Sequence, residues 1–355
     1  MTILPKIVLT GGGTAGHVMP NLAILDELRA SGFEVHYIGS GGIEKELITN
    51  AGVPFHQIST GKLRRYFSVQ NFLDIFRLTA GFIQALAIML KLKPAIVFSK
   101  GGFVAVPVTL AAWICRIPVV AHESDYSPGL ANRIIAPFSS KILYTFPETA
   151  ASLPAGKAIH VGTPVRKELF AGSAARGIKF CGFDGNKPIL LVMGGSQGAQ
   201  RINDALKEIL PTLVHSWSVV HLTGKGKTIG YSNPSYRAFE FVGDELKDIF
   251  AASNFVVSRA GANSIFELLA LKKPMLLIPL EFGSRGDQVL NAKSFVANGW
   301  AHSVSETTMT GKSLLEAVDN LQRRGKEIAD KQAAASIDLV PNRIVKILLE
   351  SSGLS

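Results

Sequence analysis

The chain has 355 residues, with 37 Lys+Arg against 27 Asp+Glu for a formal charge of +10; it is 47% hydrophobic and 18% charged. That is too long for one ordinary domain and too apolar for intrinsic disorder, so two cored domains are expected. Cys115 and Cys181 stand far apart with no C-x-x-C spacing, which excludes a disulfide framework or cysteine zinc cluster and suits a reducing cytosol. Residues 1–5 carry no basic leader, so no secretory signal is expected. The apolar charge-free runs 78–90 and 101–115 fall short of the roughly 20 residues of a membrane span.

In chain order, β-branched apolar runs predict strands at 6–10, 34–38, 95–99, 118–121 and 141–144, with helices at 18–30 and 71–91. Around 159–166 a Pro/Gly-rich connector restarts the pattern. Strand 189–193, glycines and helix 202–213 follow, then strands at 218–222, 255–258 and 275–279 and helices at 246–252, 264–271 and 289–298. The alternation is that of open, mostly parallel α/β sheets. The expected architecture is two doubly wound domains, 1–163 and 164–340, with an amphipathic C-terminal helix, about 341–355, that can pack back on the first.

Gly11–Gly16 reads G-x-G-x-x-G between a strand and a helix, where glycines let backbone N–H groups approach a diphosphate. A tight turn without ligand fits the same residues. A nicotinamide enzyme would place an acidic residue at the end of the next strand, and here Gly39-Ser40-Gly41-Gly42 stands instead. A second loop, Gly194-Gly195-Ser196-Gln197-Gly198, has the same setting, so two such loops at the carboxyl ends of two sheets predict an interdomain active site. At Ser264 and Glu267 two readings stay open: a capping box, or a helix amino end on a phosphate with Glu267 accepting from sugar hydroxyls.

His17 lies at a helix start, where the dipole favours a neutral ring, so it is the best candidate general base; a helix-capping histidine is the alternative. His122-Glu123 and Asp125 end another strand and serve either an acceptor or a solvated salt-linked loop. No H-E-x-x-H or other metal spacing is present, so no metal is expected. Residues 1–163 carry a net +5, all of it within 62–93, where Lys62, Arg64, Arg65, Arg77, Lys91 and Lys93 interleave with aromatic and aliphatic residues. Such a segment suits an anionic membrane surface, against the alternative of a core helix with a solvated basic face; no nucleic-acid motif accompanies it.

Gly12-Gly13-Thr14-Ala15-Gly16-His17, Ser99-Lys100-Gly101-Gly102-Phe103, His122-Glu123, Gly162-Thr163-Pro164-Val165-Arg166, Gly194 to Ala199, Arg259-Ala260-Gly261-Ala262 to Glu267, and Asp287-Gln288 occur in that order. This set resembles the MurG family of peptidoglycan glycosyltransferases from about residue 5 to 345. The resemblance implies a GT-B fold and metal-independent, inverting transfer of N-acetylglucosamine from its UDP donor to lipid I at the cytoplasmic membrane face, with no cofactor. It implies that Ser196 and Gln197 meet the diphosphate, Arg166 supports the donor, Glu267 takes ribose hydroxyls, Val242 lies by the uracil and Gln288 contacts the sugar. Thr14, Ala15 and Gly16 would line the donor–acceptor junction, with His17 as base. Two positions depart from the pattern: Ala15 stands where Gly is frequent, and Asp125 where Asn is frequent, so Asp125 would accept from a sugar hydroxyl instead of donating. A UDP-N-acetylglucosamine 2-epimerase and a diacylglycerol glycosyltransferase are the alternatives on a similar fold.

Overall fold

A computed structural model describes residues 4–13, 15–61, 69–195, 197–282, 286–335 and 340–354, without the side chains of 15 and 69–75. The chain divides into two compact units, Met1–Val165 with Asp338–Ser355, and Arg166–Ile337.

The first unit contains β1 (Lys6–Thr10), β2 (Glu34–Gly39), β3 (Phe55–Gln57), β4 (Ile96–Ser99), β5 (Val119–Glu123), β6 (Lys141–Tyr144) and β7 (Ala158–His160). They form one parallel sheet in the order 3-2-1-4-5-6-7. Helices α1 (Ala15–Leu22), α2 (Leu25–Ala30), α3 (Ile43–Asn50), α4 (Val69–Leu92), α5 (Ala105–Ile114) and α6 (Leu130–Ile135) connect them. In the second unit β8 (Ile189–Met193), β9 (Ser218–Leu222), β10 (Tyr236–Phe239), β11 (Phe255–Ser258), β12 (Met275–Leu277) and β13 (Ala301–Ser303) make a parallel sheet ordered 10-9-8-11-12-13. Its helices are α7 (Ala174–Cys181), α8 (Gln200–Ser216), α9 (Leu246–Ala252), α10 (Ala262–Ala270), α11 (Asp287–Ala297) and α12 (Gly311–Ala333). Helix α13 (Val340–Ser352) then returns to the first unit, burying Ile344, Val345 and Leu348 against Ile7, Leu9 and Ile24.

Helices cover both faces of such sheets, so central strands are apolar without alternation. All five residues of β8, Ile-Leu-Leu-Val-Met, are buried. The four strands the sequence reading leaves out, β3, β7, β10 and β13, are the four sheet edges, only three or four residues long. The single helix expected at 18–30 is two helices instead. It begins earlier, at Ala15, and breaks after Leu22. In each sheet the strand order reverses direction of growth beside its first strand, between β1 and β4 and between β8 and β11. Ligands of open α/β sheets bind outside the carboxyl ends at that point.

Candidate active site

In the first unit, β1 ends in Gly11-Gly12-Gly13 and β4 in Lys100-Gly101-Gly102. A Cβ on Gly102 would stand 2.6 Å from the carbonyl oxygen of Gly12, and φ at Gly102 is +80°, so only glycine lets the two loops meet. The buried Glu44 carboxylate fastens this junction. It accepts from the N–H groups of Gly13 (3.2 Å), Gly41 (3.0 Å) and Ser40, and from the Ser40 hydroxyl (2.6 Å). The Tyr37 hydroxyl donates to the Gly11 carbonyl, and burial together with the Glu44 charge pushes this phenol above its ordinary range.

Behind the same loop lies a cluster of ionisable groups. Lys100, only 3% exposed, donates from Nζ to Nδ1 of buried His122 and to the Ser124 hydroxyl (2.6 Å). His122 donates from Nε2 to the Gly162 carbonyl (2.8 Å), which leaves Nδ1 as the acceptor. Burial lowers Lys100 to about 7 and, with the lysine charge, carries His122 well below its usual value. Glu123 accepts from the N–H groups of Asp125 (2.9 Å) and Gly129 (2.8 Å) and from Asn132 Nδ2 (2.8 Å). Burial and the Asp125 charge raise it, against the pull of these donors. His122 and Glu123 are therefore buried ends of β5, which overturns the solvated-loop alternative.

In the second unit, the loop from β8 into α8 is held by backbone contact. A Cβ on Gly198 (φ +66°) would collide with the Thr223 carbonyl oxygen and stand 2.8 Å from Gly224 Cα. Beneath it runs a neutral network: Asn203 donates to the Thr223 carbonyl (3.0 Å), His221 Nε2 donates to Asn203 Oδ1 (3.0 Å), and the Tyr236 hydroxyl donates to His221 Nδ1 (2.9 Å). Burial lowers His221 to about 4. No side chain caps α8 or α10, whose N-cap residues are Ala199 and Gly261. Helix α10 thus starts before Ser264, and the capping-box alternative fails. Glu267 instead accepts from Arg166 Nε at 2.8 Å, both side chains being partly exposed.

Of the residues singled out from the sequence, Arg166 and Glu267 are brought into contact. His17 is half-buried in the first turn of α1, and its carbonyl accepts from Asn21 (3.3 Å); Gly16 beside it is exposed. Asp125 is partly exposed at the turn after β5. Gln197 is exposed, its carbonyl accepting from Lys227 (2.8 Å), and Gln288 Oε1 accepts from the Leu280 N–H (2.9 Å). Val242 is buried, whereas its neighbour Phe241, unremarked in the sequence reading, is 79% exposed. Thr14, Ser196 and the side chain of Ala15 lie outside the described residues. Glu44 and Lys100 are the groups that sequence reasoning missed as chemistry. The signal for Glu44 was an acid soon after the glycines that replace the expected strand-end carboxylate. Among the described residues, no three His, Cys, Asp or Glu side chains are grouped as for a metal ion.

Residues 7–144 match the glycosyltransferase family 28 N-terminal domain and 189–344 its C-terminal domain. The chain is 51% identical over 354 residues to the UDP-N-acetylglucosamine--N-acetylmuramyl-(pentapeptide) pyrophosphoryl-undecaprenol N-acetylglucosamine transferase of Lachnospira eligens, covering 98% of this chain and 100% of that protein. Among solved structures, MurG of Acinetobacter baumannii superposes with a TM-score of 0.74 at 23% identity, covering 98% and 99% of the two chains. A UDP-N-acetylglucosamine 2-epimerase does so with 0.68 at 13% identity, covering 100% and 98%. These structures establish two Rossmann-like units of the GT-B class, and that fold alone does not separate a transferase from an epimerase. The near-full-length identity does: this chain belongs to the MurG family of glycosyltransferases.

Proposed function

We propose that this chain transfers N-acetylglucosamine from UDP-N-acetylglucosamine to lipid I, undecaprenyl-diphospho-N-acetylmuramoyl-pentapeptide, making lipid II for peptidoglycan. The observation that carries this reading is 51% identity spread over both units with a transferase of that name. On the donor side, Glu267, oriented by Arg166, accepts from ribose hydroxyls, and Val242 lies by the uracil. Gln288 contacts the sugar, and Ser196 and Gln197 meet the diphosphate at the amino end of α8. That end offers backbone N–H groups and a partial positive charge, which receive the charge developing on departing UDP without a metal. On the acceptor side, His17 takes the proton of the attacking hydroxyl as that oxygen bonds to the anomeric carbon and the bond to UDP breaks, inverting the centre. Thr14, Ala15 and Gly16 line the junction, and Asp125 accepts from an acceptor hydroxyl.

The reading extends to the cytoplasmic membrane face, reached through 62–93. Residues 62–68 and the side chains of 69–75 lie outside the described residues. On the rest of α4, Phe76, Ile83 and Leu90 recur every seven residues at 60–61% exposure, with exposed Arg77, Gln84 and Lys91 one step on. An apolar stripe beside a polar one that carries two basic residues, Arg77 and Lys91, supports lying on an anionic surface. Among the described residues no helix is long and apolar enough to cross a membrane. Binding to anionic vesicles that survives Phe76→Ser with Ile83→Ser and Leu90→Ser would remove this part of the reading; no partition onto nucleic acid is expected.

The deciding experiment follows radiolabelled N-acetylglucosamine from its UDP donor in the presence of chelator, with a short-chain lipid I analogue and diacylglycerol as parallel acceptors. Label on the lipid I analogue alone is expected. Label on diacylglycerol, or free sugar product with neither acceptor labelled, supports the glycolipid synthase or the epimerase, and activity lost reversibly to chelator overturns the metal-free mechanism.

A further inference from the structure

Backbone pairing between β12 and β13 ends where the Val304 N–H donates to the Leu277 carbonyl (3.0 Å), and side chains join the two strand exits from there on. The next three residues alternate: Ser305 and Thr307 are exposed, and Glu306 between them is buried. The inward carboxylate of Glu306 meets Arg259, which follows β11 and is itself only 8% exposed. One guanidinium nitrogen donates to Glu306 and another to the Ile278 carbonyl (3.1 Å), so Arg259 spans the carboxyl ends of three adjacent strands. The outward pair holds the same loop from the solvent side. Glu281 accepts from the hydroxyls of Ser305 (2.5 Å) and Thr307 (2.8 Å), and these donors hold its carboxyl below the ordinary range. Residues 278–281 are therefore clasped from two sides by one tripeptide.

That loop decides how Gln288 is presented. Gln288 is the second residue of α11, a helix anchored separately by Asn291 Nδ2 on the Ala260 carbonyl (3.0 Å). Its Oε1 accepts from the Leu280 N–H (2.9 Å). A backbone N–H is met only by the amide oxygen, so this contact fixes the sense of the side chain and leaves Nε2, a donor, to face a ligand. We propose that Ser305-Glu306-Thr307 is a positioning segment for the donor sugar: acting through Arg259 and Glu281, it holds the 278–281 loop where Leu280 turns the Gln288 amide nitrogen toward a sugar oxygen. The inference rests on the reading that Gln288 contacts the sugar. An amide released from Leu280 rotates and offers either end. A segment that only closed the sheet edge would, once altered, weaken UDP and its sugar conjugate alike.

The test compares binding of UDP-N-acetylglucosamine with binding of UDP, by calorimetric titration of the full chain. Gln288→Ala sets the scale, with a loss of roughly tenfold expected for UDP-N-acetylglucosamine and UDP held within about twofold. Glu306→Ala is expected to show the same selective loss, and Glu306→Gln, which keeps an oxygen for Arg259, to recover most of it. A buried guanidinium stripped of its carboxylate destabilises the fold, so the exposed pair Ser305→Ala with Thr307→Val gives a second route, with a selective loss of roughly threefold. In the Gln288→Ala background neither change weakens the sugar nucleotide further, because the group it positions is gone. Equal losses for the two ligands, no loss, or losses that add to that of Gln288→Ala overturn the proposal and leave the sugar contact standing. Binding of both ligands by Gln288→Ala as tightly as by the parent overturns the sugar contact itself, and the proposal with it.

Discussion

The two units begin with the same sequence device, a strand followed by glycines and a helix, yet hold their loops by different physics. In the first, the glycine loop is tied by buried ionisable groups: Glu44 gathers Gly13, Ser40 and Gly41, Tyr37 holds Gly11, and Lys100 with His122 lies behind. In the second, Gly198 lies on Thr223 and Gly224, backbone against backbone, over the neutral Asn203, His221 and Tyr236 network. A buried charge is tolerated only when several donors or a counter-charge meet it, so the first loop depends on particular partners. The second depends on the absence of side chains. The proposed roles match: chemistry on the acceptor's hydroxyl in the first unit, and grip on a diphosphate through backbone in the second.

The largest expected effect separates those roles. His17→Ala should lower kcat by roughly 10²–10⁴ while UDP-N-acetylglucosamine affinity stays within about twofold, measured by single-turnover transfer and donor titration. A loss of only a few-fold removes the base assignment. Next, Gly198→Ala forces a Cβ onto the Thr223 carbonyl at a positive φ, so donor affinity should fall roughly tenfold or more. Glu44→Ala acts differently. It strips one acceptor from three backbone N–H groups, each costing about 1–3 kcal/mol if left unmet, so denaturant melts should show a loss of roughly 3 kcal/mol. If Gly12→Ala, whose Cβ would strike the Glu44 carboxylate, matched Gly198→Ala in donor affinity instead of affecting the acceptor, the contrast between the units would collapse.

How far the sequence carries follows from where each signal lives. Central strands such as β1 and β8 are buried on both faces and so read as unbroken apolar runs. The edges β3, β7, β10 and β13 are short and mixed, Phe-His-Gln or Ala-His-Ser, and carry no such mark. Motif residues were legible because glycines, helix starts and strand ends recur in a fixed order. Partnership between distant segments was not: Arg166 and Glu267 lie 101 positions apart and meet at 2.8 Å, and Lys100 reaches His122 from a different strand. Glu44 was hidden because an acid in the first turn of a helix ordinarily reads as a solvated partner of the dipole, whereas tertiary contact turns it inward.

The smallest expected effect tests the comparison through pH. His221 is lowered by burial from 6.5 to about 4, so between those values the unfolded chain binds a proton that the folded chain refuses. Its contribution is therefore fully present above pH 6.5 and is lost as pH falls toward 4, by roughly 3 kcal/mol at most at about 1.4 kcal/mol per unit. Lys100 has the same sign in a higher window, since burial takes it from 10.5 to about 7: stability from this group falls as pH drops from 10.5 to 7. Subtracting the melting curves of His221→Gln from those of the parent should leave a difference that is constant above pH 6.5 and changes only within the acid window. The same subtraction for Lys100→Met should leave one that changes only within the alkaline window. A His221 difference that persists unchanged from pH 8 to pH 5 would mean that the ring acts through its hydrogen bonds alone. The neutral network under the donor loop would then be held by geometry, as Gly198 and Gly224 already are, with no electrostatic share.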